Sequence, residues 1–162
     1  MNFNHAALYH GDRKFPDVQN ENMQRRVFLA LIFAPTSAWA HSFKLGNIAI
    51  GHAWGLPSST GETQVFMPLF NSGSTEDMLI SASSDTAANI ELRLNNFYSQ
   101  AAETQFVLTP HKPIPMRPTA RHLRLLGLRN PLKNGEIIDL TLKFAQAGEI
   151  KINIHIQDKA GE

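Results

Sequence analysis

The chain contains no cysteine. Disulfides, thiolate metal sites and a cysteine nucleophile are therefore excluded. Charge of one sign is lacking too. From His41 onward there are 11 Lys plus Arg and 11 Asp plus Glu, a balance of zero. Such a chain has no electrostatic footprint for nucleic acid, and none is expected as a partner. No apolar run is long enough to cross a bilayer as a permanent helix, and no repeat or low-complexity tract is present. Enzyme signatures are equally scarce: there is no G-x-S-x-G, no H-E-x-x-H and no paired-carboxylate spacing. Gly46, Gly51, Gly55 and Gly61 stand too far apart for a phosphate loop. A binding protein, not an enzyme, is expected.

What is present is a globular composition, 162 residues with 43% hydrophobic and 18% charged. That suffices for one domain with a real core. Residues 1–22 are polar and without period. Arg25 and Arg26 then precede the apolar run Val27 to Ala34, and Ala38-Trp39-Ala40 forms an A-x-A cleavage site. This order is that of a secretory signal peptide over residues 23–40, with Met23 as its start and residues 1–22 an upstream over-extension. The mature protein then begins at His41, its domain covers residues 41–158, and it is exported to the periplasm with no membrane span.

From His41 the pattern is one of short strands and turns. Strands are expected over Phe43 to Ile50, Thr63 to Asn71 (bulged or at an edge because of Pro68), Met78 to Ala82, Ile90 to Leu94 and Gln105 to Leu108. The clearest signal is C-terminal. Ile138, Leu140, Leu142 and Phe144 alternate with polar residues, as do Ile150, Ile152, Ile154 and Ile156, and Ala145 to Glu149 joins them as a hairpin. One face of each strand meets a core and the other meets water. About eight such strands with no long helix predict an all-β fold, an antiparallel Greek-key β-sandwich.

The stretch Pro118 to Leu132 carries a histidine on an alternating strand pattern between turn signals. Side chains at i and i+2 share a face, so His122, Arg124 and Leu126 point one way and Leu123, Leu125 and Gly127 the other.

Several segments together resemble the periplasmic copper chaperones of the PCu(A)C type. They are Lys44 to Trp54, Ser81 to Ser84 followed by Ile90-Glu91-Leu92, Gly127 to Glu136, and Leu140 to Glu149. The resemblance covers nearly all of His41 to Ile156 and implies a cupredoxin-like β-sandwich that binds copper and delivers it to a recipient cuproprotein such as a terminal oxidase. The family's copper motif is a His, a Met and a closing His-x-Met. Thioether sulfur suits Cu(I), and imidazole accepts either oxidation state. Here the first His, which in the family follows Glu-Leu, is replaced by Arg93, and the closing pair reads His122-Leu123-Arg124. No Met lies between Met78 and Met116. Guanidinium has no lone pair to donate and repels a cation.

Three residues therefore stand as candidate metal ligands: His122; Met116 as a substitute thioether; and His41, whose freed α-amine and ring would chelate copper together. His52 and His155 are imidazoles placed to assist His41. The alternative is a family member without its copper site that binds a protein or an anion, through convergence of Arg93, Arg124, Arg117, Arg121 and Arg129.

Overall fold

A computed structural model describes residues 42–159. Among them there are eleven strands and no helix: β1 (Phe43–Leu45), β2 (Ile48–Ile50), β3 (Trp54–Gly55), β4 (Glu62–Phe66), β5 (Leu69–Asn71), β6 (Asp77–Ser83), β7 (Ala87–Arg93), β8 (Phe106–Leu108), β9 (His122–Leu128), β10 (Ile137–Phe144) and β11 (Gly148–Ile156). The expected all-β fold is observed. A small sheet has the order β1-β2-β5, and a large one the order β7-β9-β4-β3-β11-β10-β6-β8. The large sheet curls until β6 and β7, consecutive in sequence, lie side by side.

Local sequence accounts for most of these boundaries. The C-terminal hairpin pairs Leu140 with Ile152 and Leu142 with Ile150. Along β10, Ile138, Leu140, Leu142 and Phe144 are buried while Ile137, Asp139 and Lys143 are exposed, a period-2 pattern set by one-sided burial. Fully burying each such aliphatic side chain contributes about 1.5–3 kcal/mol. The run Thr63 to Asn71 is broken at Met67 and Pro68, where the chain leaves β4 in the large sheet for β5 in the small one. Pro68 cannot donate to a ladder, and its carbonyl instead accepts the Gly51 N–H at 2.9 Å.

Two expectations are corrected. Phe43 to Ile50 is not one strand but a hairpin, because Gly46 takes φ +57° and turns the chain back on itself. The sandwich is also not wholly antiparallel. Trp54 and Gly55 of β3 pair in parallel with His155 and Ile156 of β11, the one parallel pairing among the described residues. The segments assigned to an upstream extension and a signal peptide, residues 1–40, lie outside the described residues, as does His41.

Gly127, on β9, has φ +64°, and a Cβ there would stand 2.8 Å from the Ala88 Cβ. Left-handed backbone costs an L-residue about 1–2 kcal/mol, and the overlap adds to it. Gly127→Ala should lower stability by about 2–4 kcal/mol, read as a lower urea midpoint at unchanged slope. Adding Ala88→Gly should recover the overlap and leave the backbone cost. An unchanged midpoint in the single variant would refute the account.

Candidate functional site

Two places in the sandwich bring histidine together with other polar groups. The first is where the resemblance places copper. Register sets Arg93 of β7 opposite His122 of β9, and Arg124 of β9 opposite Glu91 of β7 and Gln64 of β4. His122 is fully buried. Its Nδ1–H donates to the Ala120 carbonyl at 2.7 Å, which leaves the Nε2 lone pair to accept from the Tyr98 hydroxyl at 3.3 Å. Tyr98 in turn accepts from Gln64 Nε2 at 2.5 Å. The His122 ring lies between Phe66, 6.2 Å away, and Tyr98, which meets it edge-on at 6.0 Å.

The two arginines close this cluster. Arg93, only 3% exposed, donates to the carbonyls of Phe97 at 2.8 Å and Gln100 at 3.0 Å. It also stands 3.7 Å from the Glu91 carboxylate. Arg124 pairs with Glu62, lies 3.5 Å from Glu91, and stacks its guanidinium 3.7 Å over the Tyr98 ring. The Arg93 guanidinium lies 5.2 Å from the same ring. Tyr98 thus sits against two cations, a favourable use of its negative face. Burial lowers the His122 pKa below its ordinary value, opposed in part by the hydrogen bond to the Ala120 carbonyl, and the charges of Arg93 and Arg124 add lesser pushes downward.

These residues do not fit copper. The His122 lone pair is engaged, and guanidinium groups stand at the two neighbouring motif positions. Met116 is buried among the core side chains. Of the arginines, Arg93 donates to carbonyls, Arg124 pairs with carboxylates, and Arg121 lies 5.2 Å over the Phe106 ring, while the Nε groups of Arg121 and Arg124 have no hydrogen-bond partner. Arg117 and Arg129 are exposed.

The second place is the corner where β2 runs out and β11 ends. Here the parallel pairing of β3 with β11 carries His155 beside the segment Gly51 to Ala53, and the His155 N–H donates to the Ala53 carbonyl at 3.2 Å. The rings of His52 and His155 lie 6.1 Å apart, centroid to centroid, with an interplanar angle of 32°. Both residues are half-buried. The small sheet's first strand begins at Phe43, which pairs with Ile50, two residues before His52, and β1 also lies against β11. With metal–nitrogen bonds of about 2 Å, two imidazoles on one ion have centroids roughly 4.5–6.5 Å apart, a range that includes the 6.1 Å seen here. Sequence reading named both histidines as helpers of His41, without a reason for their meeting. That reason is a pairing between strands a hundred residues apart, which no local pattern reveals.

Comparison with known proteins supplies the rest. A family model described as "Putative lipoprotein LpqE-like" matches residues 48–156. The curated protein "Putative lipoprotein Lxx21020" of Leifsonia xyli subsp. xyli is 24% identical over 135 residues, 80% of this chain and 81% of that protein. Among solved structures, the copper-bound PCuAC domain from PmoF2 superposes with a TM-score of 0.66 at 25% identity, over 74% of this chain and 99% of the domain. A solution structure of CuI-DR1885 from Deinococcus radiodurans has a TM-score of 0.58 at 19% identity, over 76% and 85%, and supports the fold. The resemblance read from the turn and core segments is therefore correct.

Burial of neutral His122 has a consequence for stability. Its folded pKa lies below the unfolded value near 6.5, so the unfolded state binds the extra proton as pH falls. The contribution is complete well above pH 6.5 and is lost downward from there toward the lowered folded pKa. Stability should fall between pH 7.5 and 5 with a His122 component of at most about 1.4 kcal/mol per pH unit. His122→Gln should be less stable at pH 7.5 but show a flatter dependence in urea unfolding. An equal slope in both proteins would remove His122 from the account.

Proposed function

The chain belongs to the LpqE-like family, and on that footing we propose that it is an exported copper-binding carrier whose site is formed by His41, His52 and His155. The observation that carries this reading is the 6.1 Å approach of the His52 and His155 rings at the corner where the described chain begins. Copper bound here is cargo, and the protein's work is to hold it and surrender it to a recipient cuproprotein. Cleavage after Ala40 makes His41 the first residue, with an α-amine beside its own ring nitrogen. Amine and imidazoles together form a nitrogen donor set, which copper takes readily. Half-burial of His52 and His155 leaves the site open to an acceptor protein, whereas His122 is closed off by Tyr98 and two arginines.

The structural similarity to a copper-bound PCuAC domain supports the choice of metal. A second reading, in which the sandwich binds a protein and no metal, is favoured by the filled state of the His122 region.

Titration of the chain starting at His41 with Cu(I) and Cu(II) separates them. Copper binding should weaken roughly 10- to 100-fold, or vanish, in His52→Ala, in His155→Ala and in a chain with one residue added before His41, while His122→Gln should leave it unchanged. Unaltered affinity in the extended chain would remove the amine from the site. No binding of either oxidation state would favour the second reading.

A further inference from the structure

Gln157 follows β11 and is 5% exposed. Its backbone N–H donates to the Gly55 carbonyl at 2.9 Å, continuing the parallel seam by one step. Its side-chain Nε2 lies 2.9 Å from the Lys159 carbonyl and 3.2 Å from His52 Nε2. A carbonyl can only accept, so the Lys159 contact identifies that end of the amide as nitrogen. An amide nitrogen has two hydrogens and no lone pair to give. The second hydrogen is therefore directed at His52, whose Nε2 must accept it. His52 is then the neutral tautomer with its proton on Nδ1, and the electron pair on Nε2 is already in use.

We propose that Gln157 is a built-in competitor for the His52 lone pair, a positioning residue that weakens metal binding at this corner and hastens release. The inference rests on the reading that copper binds at His52 and His155. Both ring nitrogens are opposed by the same amide. Ligation through Nε2 must break the Gln157 hydrogen bond. Ligation through Nδ1 must move the ring proton to Nε2, where it meets an amide N–H head-on. The usual arrangement around a metal-bound histidine is the reverse, with an acceptor behind the ring that strengthens ligation. A donor in that place lowers affinity and takes the lone pair back when the ion departs. For a carrier, a hold that is firm but reversible is the useful property.

One net hydrogen bond is worth about a fivefold factor in affinity. Gln157→Leu keeps the bulk, leaves the backbone bond to Gly55 in place and removes the donor. Gln157→Glu puts an acceptor where the donor was. In the metal-free protein, ring nitrogen-15 shifts of His52 should show an unprotonated Nε2 in the wild type and a protonated one in Gln157→Glu. Competition titration of Cu(II) against a chelator should show binding about fivefold tighter in Gln157→Leu, with a slower off-rate. Adding His52→Ala to Gln157→Leu should abolish that gain. A protonated Nε2 in the wild type would overturn the proposal. So would a Gln157→Leu protein, melting like the wild type, that binds Cu(II) no tighter, and in that case the copper reading stands. Absence of Cu(II) binding in the wild type and in Gln157→Leu alike would overturn both.

Discussion

The parallel contact between β3 and β11 is the constraint on which the molecule turns. β3 is only two residues long, yet it joins β7-β9-β4 on one side to β11-β10-β6-β8 on the other. Without it one margin of β4 and one of β11 are left unpaired, and the curl that encloses Phe66, Leu123, Leu140 and Ile154 has no seam. Two backbone bonds run along this seam, His155 N–H to Ala53 and Gln157 N–H to Gly55, while Ile156 N–H donates to Glu136 on the other flank of β11. Trp54 adds an aromatic pair with Phe66 of β4 at 4.6 Å. The same seam fixes His155 and Gln157 beside His52. Fold closure and the histidine corner are thus one feature, and a change that loosens β3 would disturb both.

The His122 region shows how buried charge is accommodated inside the sandwich. A buried guanidinium is costly unless its donors and charge are answered. Arg93 is answered by two carbonyls of the β7–β8 connection, by Glu91 and by the Tyr98 ring. Arg124 is answered by Glu62, Glu91 and the same ring. The carbonyl bonds tie the connection down at Phe97 and Gln100, which holds Tyr98 over His122. Each member thereby supports the next: removing Arg93 takes the donor from the Gln100 carbonyl, and removing Tyr98 leaves the His122 lone pair buried without a donor. Such mutual support links the cluster tightly, although the Arg124 Nε and one Glu91 carboxylate oxygen are left without a hydrogen-bond partner.

How much of this was legible in the sequence depended on how local the cause was. β10 and β11 were plain because eight alternating residues each repeat the same inside–outside choice. β9 was plain for the same reason. β1 and β2 were merged because six apolar or small residues in eight conceal a turn whose one sign is Gly46. β3 could not be seen at all, since two residues have no period. The resemblance singles out Arg93 and Arg124 as positions of interest, but not the groups they contact. Tyr98 sits in a connection without pattern, and nothing in its neighbours announces that it faces a histidine 24 residues away. Gln157 is less visible still, because its importance comes from a contact across 105 residues.

The two histidine places share one chemical detail that separates their uses. At each, a donor is aimed at the ring's Nε2: the Tyr98 hydroxyl at His122 and the Gln157 amide at His52. What differs is the price of undoing the contact. Freeing His122 means moving the Tyr98 ring, against which two guanidiniums lie, to uncover a fully buried imidazole. Freeing His52 means rotating one amide about a side chain whose backbone stays hydrogen-bonded, at a half-buried edge. A closed donor makes a histidine part of the fold. A donor at a half-buried edge leaves the ring within reach of other partners, and that contrast in enclosure separates the two histidines.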